Sequence, residues 1–131
     1  PLVVVGKNQE NLKILKHLEF DFLVANCYRF QVPLEIINLA RISALNMHRS
    51  LLPKYKGAKP LKQALAARDT RTGTTVHHMT EIIDSGEIVA QHDVPIAPGD
   101  TEASLFEKLY PTQYPLMKHA IFKLLRRPIA G

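Results

Sequence analysis

Residues 42–57 read Ile-Ser-Ala-Leu-Asn-Met-His-Arg-Ser-Leu-Leu-Pro-Lys-Tyr-Lys-Gly. The stretch opens apolar and turns polar within a few residues. Ile42, Ala44 and Leu45 suit a buried strand. Asn46 and His48 stand two apart, so on an extended chain they share a face. Beyond them Leu52-Pro53 stiffens the backbone, and Gly57 marks a second bend. Two readings fit. One is a strand that delivers an amide and an imidazole to a reaction site ahead of a rigid loop. The other is an ordinary strand end with an Asn in the turn and a surface His. Spacing alone favours the second.

Upstream, two more apolar runs precede this one. Leu2–Val5, closed by Gly6, reads as a strand buried on both faces, and Phe20–Ala25 as another. Between them Asn8 suits a helix cap, with Leu12, Ile14, Leu15 and Leu18 as the apolar stripe. Pro33 suits the first turn of a helix reaching about Ala40. Strand–helix–strand–helix–strand order implies right-handed crossovers and a parallel sheet. Ligands of such sheets bind beyond the carboxyl ends of the strands, which puts 26–30 and 46–57 on one rim.

Downstream, Lys59–Arg68 reads as a helix with Leu61, Ala64 and Leu65 inward. Two β-rich runs, Thr72–Met79 and Glu87–Ile96, are joined by Ile82-Ile83-Asp84-Ser85-Gly86. Ser-Gly is a turn signal, so this pair suits an antiparallel arrangement. Asp100 or Thr101 caps a helix to about Leu109. Pro111 and Pro115 then interrupt, and a last helix covers about 116–126.

The 131 residues suit one domain, and 46% hydrophobic with 22% charged residues is ordinary globular composition. No apolar run reaches bilayer length, and no leader pattern opens the chain. One cysteine, Cys27, excludes an intramolecular disulfide and fits a reducing, cytoplasmic compartment. It reads as a small core residue with nothing local to activate it. The formal net charge is +5, with lysines and arginines clustered at 49–62 and at Arg126-Arg127. Such a face suits phosphates, carboxylates or RNA, or is simply solvated; no aromatic-interleaved RNA motif accompanies it.

Asn46-Met47-His48-Arg49-Ser50-Leu51-Leu52-Pro53 resembles the N-x-H-x-S-L-L-P signature of the folate-dependent formyltransferases. That family includes glycinamide ribonucleotide, methionyl-tRNA and sugar N-formyltransferases. Thr72-Gly73-Thr74-Thr75-Val76-His77, leading to Asp84-Ser85-Gly86-Glu87 and a strand ending at Gln91, is similar to its second signature. The resemblance covers roughly residues 20–110. It implies an α/β, Rossmann-like formyltransferase fold with a mostly parallel sheet. Relative to that family the chain lacks an N-terminal strand–helix–strand unit and its Gly-rich phosphate loop, so a truncated domain is expected.

The resemblance also assigns roles. Asn46 and His48 would stabilise an oxyanion, while Asp84 would set the state of His48 and relay protons. Asp84 alone could equally be a turn residue capping local amides. The co-substrate would be 10-formyltetrahydrofolate, held between the loop Asn26, Cys27, Tyr28, Arg29, Phe30 and the loop Thr80, Ile82, Ile83, Asp84. Ser50, Leu51, Leu52, Pro53, Gly57, Thr75 and His77 would line the site. His78 points the opposite way from His77. A metal held by His77, His78, Asp84, His92 and Asp93 is disfavoured, because adjacent strand residues cannot easily share one ion.

Arg29 could meet a folate carboxylate or be a surface arginine. Lys54, Lys56 and Lys59 could face an anionic acceptor or simply solvent. Arg49, where the family mostly has a small residue or proline, and Asn26-Cys27-Tyr28, in place of a Gly-containing turn, are departures beside the site. Partners expected are the folate and an amine acceptor, with no membrane; tRNA is possible but unsupported. An exposed sheet edge suggests a homo-oligomer. The alternative to an enzyme is a folate-binding or assembly module on the same fold.

Overall fold

The computed structural model describes residues 2–5, 9–28 and 31–126, with side chains from Leu12 onward. Gly6, Asn8, Arg29, Phe30, Arg127 and the side-chain burial of Leu2–Val5 lie outside this description. Five strands form one sheet in the order β1-β2-β3-β4-β5, namely Leu2–Val5, Phe20–Asn26, Ala40–His48, Arg71–His78 and Ile88–Pro95. The β1–β2 and β2–β3 pairs are parallel, whereas β3–β4 and β4–β5 are antiparallel. The sheet is therefore mixed, and its direction reverses at β3.

Each face of the sheet has its own core. On one, a 3-10 helix (Gln9–His17) and α1 (Leu34–Ile37) pack Leu12, Leu15 and Ile36 onto Leu23, Ala25 and Ala44. On the other, α3 (Glu102–Leu125) packs Leu116, Met117 and Ala120 onto Phe22, Val24, Leu45, Met47 and Val76. The alternation of Ala44 with Leu45, and of Val24 with Ala25, between these cores is the period-two signature of strands covered on both faces. The α2 helix (Pro60–Ala66) joins Leu61 to Val94, Leu105 and Leu109 at the far edge.

Several expectations are corrected. The first helix has a three-residue repeat, so Leu12 and Leu15 stack inward and Ile14 is exposed, while Leu18 is exposed because it lies beyond the helix end at His17. The helix after Pro33 lasts only Leu34–Ile37, with Pro33 as its cap, and Ala40 already belongs to β3. Ile42 is exposed, because β3 enters its covered stretch only at Ser43. Pro111 and Pro115 do not divide the last helix, since α3 runs unbroken through both. Buried Leu105, Leu109, Leu116 and Ala120 anchor it on either side of the prolines, and this packing overrides their lost N–H groups. Thr101 closes its start in a capping box, Oγ1 accepting from Ser104 N–H (3.2 Å) and Ser104 Oγ from Thr101 N–H (2.8 Å).

Candidate active site

The reversal at β3 sets Asn46 opposite His77 and His48 opposite Thr75. Cross-strand partners point the same way, so all four side chains reach one face, and all are buried. Asp84 arrives from the turn between β4 and β5 at a φ of 56°, in the left-handed region that Asp accepts more readily than most residues. Gly86 makes this turn possible, since a Cβ there would overlap the His78 carbonyl.

Hydrogen bonds fix each group. Asn46 Oδ1 accepts Tyr28 N–H at 3.2 Å, which turns the amide so that Nδ2 faces His77 Nε2 at 3.4 Å. His77 Nδ1 stands 2.9 Å from the His78 carbonyl, which can only accept, so Nδ1 carries hydrogen. His48 Nε2 donates in the same way to the Tyr55 carbonyl at 2.7 Å, leaving Nδ1 3.5 Å from Asp84 Oδ2. Asp84 Oδ2 also accepts Gly57 N–H at 2.8 Å. Its Oδ1 lies 3.6 Å from His77 Nε2 and, among the described residues, has no hydrogen-bond partner. Burial pushes the Asp84 carboxyl up, but the adjacent His77, the Gly57 N–H and His48 together outweigh it and hold it below the ordinary carboxylate value.

The loop after β3 is fastened from below. Thr75 Oγ1 donates to Ser50 O (2.7 Å) and accepts from Leu52 N–H (3.1 Å) and Gln91 Nε2 (2.9 Å). Gln91 Nε2 also reaches Leu52 O at 2.9 Å, and Ser50 Oγ donates to Lys54 O at 2.6 Å. These bonds set the Tyr55 carbonyl and the Gly57 N–H against His48 and Asp84. The Leu52–Pro53 peptide within the loop is cis.

A narrow cleft opens over Asn46, His77 and Asp84, walled by Tyr28, Val32, Met79, Thr80, Ile82 and Ile83. Gln31 Nε2 donates to the Glu81 carbonyl at 2.5 Å and ties its two walls together. Ile82, at 70% exposure, offers an apolar surface at the mouth. The arrangement joins an aimed amide donor, a carboxylate with one open oxygen and two imidazoles. Such groups can stabilise a developing oxyanion and move a proton.

Of the residues singled out in the sequence, Tyr28, Asn46, His77, Thr80, Ile82, Ile83 and Asp84 meet at the cleft. His48 stands behind Asp84, with Nε2 occupied by Tyr55. Ser50, Leu52 and Thr75 build the fastening beneath, while the Leu51 side chain packs under Gly73. Asn26 lies on the opposite face of the sheet, because strand alternation places it with Val24, and its Nδ2 is 3.4 Å from Gln113 Oε1. Cys27 is half-buried at a φ of 54°, and burial pushes its thiol up. Lys54 lies 3.8 Å from Asp69, and Lys56 3.4 Å from Ser85 Oγ. His78 is packed by Ser43 Oγ, 2.5 Å from its Nδ1.

Sequence reasoning did not find Gln31, Val32 and Met79. Met79 was signalled only by following β4, and nothing local marked Gln31. Among the described residues no group of three or more His, Cys, Asp or Glu could hold a metal, and no helix is long and apolar enough to cross a membrane.

Fold and site together define an α/β domain with an Asn–His–Asp group at the carboxyl end of its central strand. Residues 5–121 match the family described as Formyl transferase, and the chain belongs to that family. It is similar to the methionyl-tRNA formyltransferase of Lactobacillus delbrueckii subsp. bulgaricus, at 34% identity over 93% of this chain and 38% of that protein. The bifunctional polymyxin resistance protein ArnA of Wigglesworthia glossinidia brevipalpis is 39% identical over 88% of this chain and 18% of its own length. The phosphoribosylglycinamide formyltransferase of Bacillus halodurans superposes with a TM-score of 0.78 at 33% identity, covering 88% of this chain and 60% of that one. Glycinamide ribonucleotide transformylase 1 of Symbiobacterium toebii gives 0.80 at 27% identity over 93% and 58%. The fold is thus the Rossmann-like formyltransferase fold. The chain spans under two-fifths of the curated relatives' length and about three-fifths of these solved chains.

Proposed function

We propose that this domain transfers a formyl group from 10-formyltetrahydrofolate to an amine, with Asn46, His48 and Asp84 as its reacting groups. The observation that supports this reading most is the contact of His48 Nδ1 and Asp84 Oδ2 at 3.5 Å beside the aimed Asn46 amide, all three buried. The acceptor nitrogen attacks the formyl carbon, and negative charge gathers on the formyl oxygen. Asn46 Nδ2 donates to that oxygen, and a proton on His48 strengthens the field it meets. Asp84 Oδ1 takes the proton that the amine loses, directly or through water, and returns it to the departing folate nitrogen as the C–N bond breaks. Apolar Val32, Met79 and Ile83 wall the cleft that would receive the flat folate ring, with Tyr28 and Thr80 at its sides.

Glycinamide ribonucleotide, methionyl-tRNA and an amino-sugar nucleotide are the acceptors to screen. His48→Ala should lower transfer at least about a hundredfold, in line with loss of one acid–base or oxyanion group, while 5-formyltetrahydrofolate binding by calorimetry persists. Transfer unchanged in His48→Ala defeats the assignment. Binding without transfer to any of the three acceptors reduces the chain to a folate-binding module.

A further inference from the structure

We propose that Tyr55 and Asp69 are positioning residues for His48: the bond between their side chains fixes which imidazole nitrogen carries hydrogen and keeps Nδ1 open towards Asp84. Its catalytic meaning rests on the formyl-transfer reading; the arrangement itself does not. Tyr55 has a φ of 55°. That left-handed region is costly for a residue with a bulky side chain, so the surroundings must hold it there. The outlier turns the Tyr55 carbonyl onto His48, whose Nε2 lies 2.7 Å away. A carbonyl can only accept, so the neutral ring carries its hydrogen on Nε2. Nδ1 then keeps a lone pair 3.5 Å from Asp84 Oδ2, and the next proton His48 takes lands between the two. Were the carbonyl to turn away, the neutral ring would gain by moving its hydrogen to Nδ1 as a donor to Asp84. The lone pair beside the carboxylate would then be lost.

The hold on Tyr55 comes through its side chain. The phenol donates to Asp69 Oδ2 at 2.6 Å. This bond pushes the phenol's pKa up, so the hydroxyl keeps the hydrogen it donates. Asp69 is itself fixed by the end of α2. Arg68 N–H donates to Leu65 O and Asp69 N–H to Ala64 O, each at 3.1 Å, with Arg68 at a φ of 57°. That is the paired-bond termination of a helix, and buried Leu61 and Ala64 seat the helix in the core. Lys54 Nζ, 3.8 Å from the same Asp69 oxygen, compensates its charge. On either side of Tyr55 the loop is tied by Ser50 Oγ to Lys54 O and by Gly57 N–H to Asp84. The phenol restrains Tyr55 between these ties. A line of contacts thus runs from the core under α2, through Asp69 and Tyr55, to the hydrogen on His48.

The test is 15N NMR of the labelled chain, free of folate, at alkaline pH, where the shifts of the His48 ring nitrogens report which one carries hydrogen. His48→Gln assigns these signals. The native chain should carry hydrogen on Nε2. Tyr55→Phe and Asp69→Leu should each move the tautomer ratio about fivefold or more towards Nδ1–H, the size of one net hydrogen bond. The double variant should move it no further than either single one, because both changes break the same bond. Asp69→Asn keeps an oxygen for the phenol and should stay near the native ratio; it also serves should the Leu variant fail to fold. A merely structural role would lower Tm and leave the ratio alone. Hydrogen on Nδ1 in the native chain, an unchanged ratio in Tyr55→Phe, or single shifts that add in the double variant overturns the proposal. In transfer assays Tyr55→Phe should lower kcat about fivefold or more at unchanged KM for 10-formyltetrahydrofolate. A native kcat beside a shifted ratio overturns the positioning role. Because the ratio is read without folate or acceptor, a failure of formyl transfer leaves that outcome readable.

Discussion

Thr75→Val removes one oxygen and almost no volume. That oxygen is the donor to Ser50 O and the acceptor for Leu52 N–H and Gln91 Nε2. Gln91 Nε2 keeps its bond to Leu52 O. The Leu52 N–H and the Ser50 carbonyl lose a partner beside a fully buried side chain. Each orphaned buried group costs about 1–3 kcal/mol, so losing two should cost about 2–6 kcal/mol. For a chain of this size that is a fall of roughly 6–24 °C in Tm. Thr75→Ser, which keeps the hydroxyl, should lose less than half as much. Urea unfolding of the three proteins under one set of conditions measures the difference. A Thr75→Val loss below about 0.5 kcal/mol, the range of an ordinary surface change, would refute the claim that this hydroxyl fastens the loop.

Asp100 is held at a pKa of about 2, first by Lys108, then by the Ser104 hydroxyl and the Ala97 N–H. Its folded value is depressed, so its stabilising contribution is complete above the ordinary carboxylate pKa and disappears as pH falls through about 2. Asp100→Asn should therefore flatten the Tm–pH curve in that window, and a carboxyl 13C titration should give the low midpoint directly. Gly86→Ala must push a Cβ into the His78 carbonyl. It should destabilise by about 2 kcal/mol or more, as backbone-incompatible substitutions do, and should move the Asp84 signals in NMR spectra. Thr101→Ala removes the α3 cap, with an expected loss of about 1 kcal/mol by denaturant unfolding.

β2 and β3 are legible because each carries an apolar run covered on two faces, and the β4–β5 pairing is legible from Ser85-Gly86. The spacing of Asn46 and His48 announced a shared face. It does not announce what faces them, since Thr75 and His77 come from β4, whose register depends on the reversal at β3, and Asp84 comes from the turn after it. Gly57 read as a bend, yet its N–H is a ligand of Asp84. Backbone groups such as this and the Tyr55 carbonyl leave no mark in residue type. The helices depart from the sequence pattern for separate reasons. A 3.6-residue period places Ile14 inward, but the first helix is 3-10 and ends before Leu18. Pro111 and Pro115 signal breaks that the packing of α3 overrides.

The reversal of direction at β3 also governs when the site can exist during synthesis. Asn46 and His48 emerge from the ribosome on a strand whose parallel neighbour, β2, is already made. Their partners follow only after α2, and β4 gains its second neighbour only when β5, ending at Pro95, has emerged. A nascent chain that stops within β4 presents the amide and one imidazole but no carboxylate beside them. A carboxylate beside Asn46 and His48 therefore comes only with the turn after β4, and a chain that ends before Asp84 lacks it.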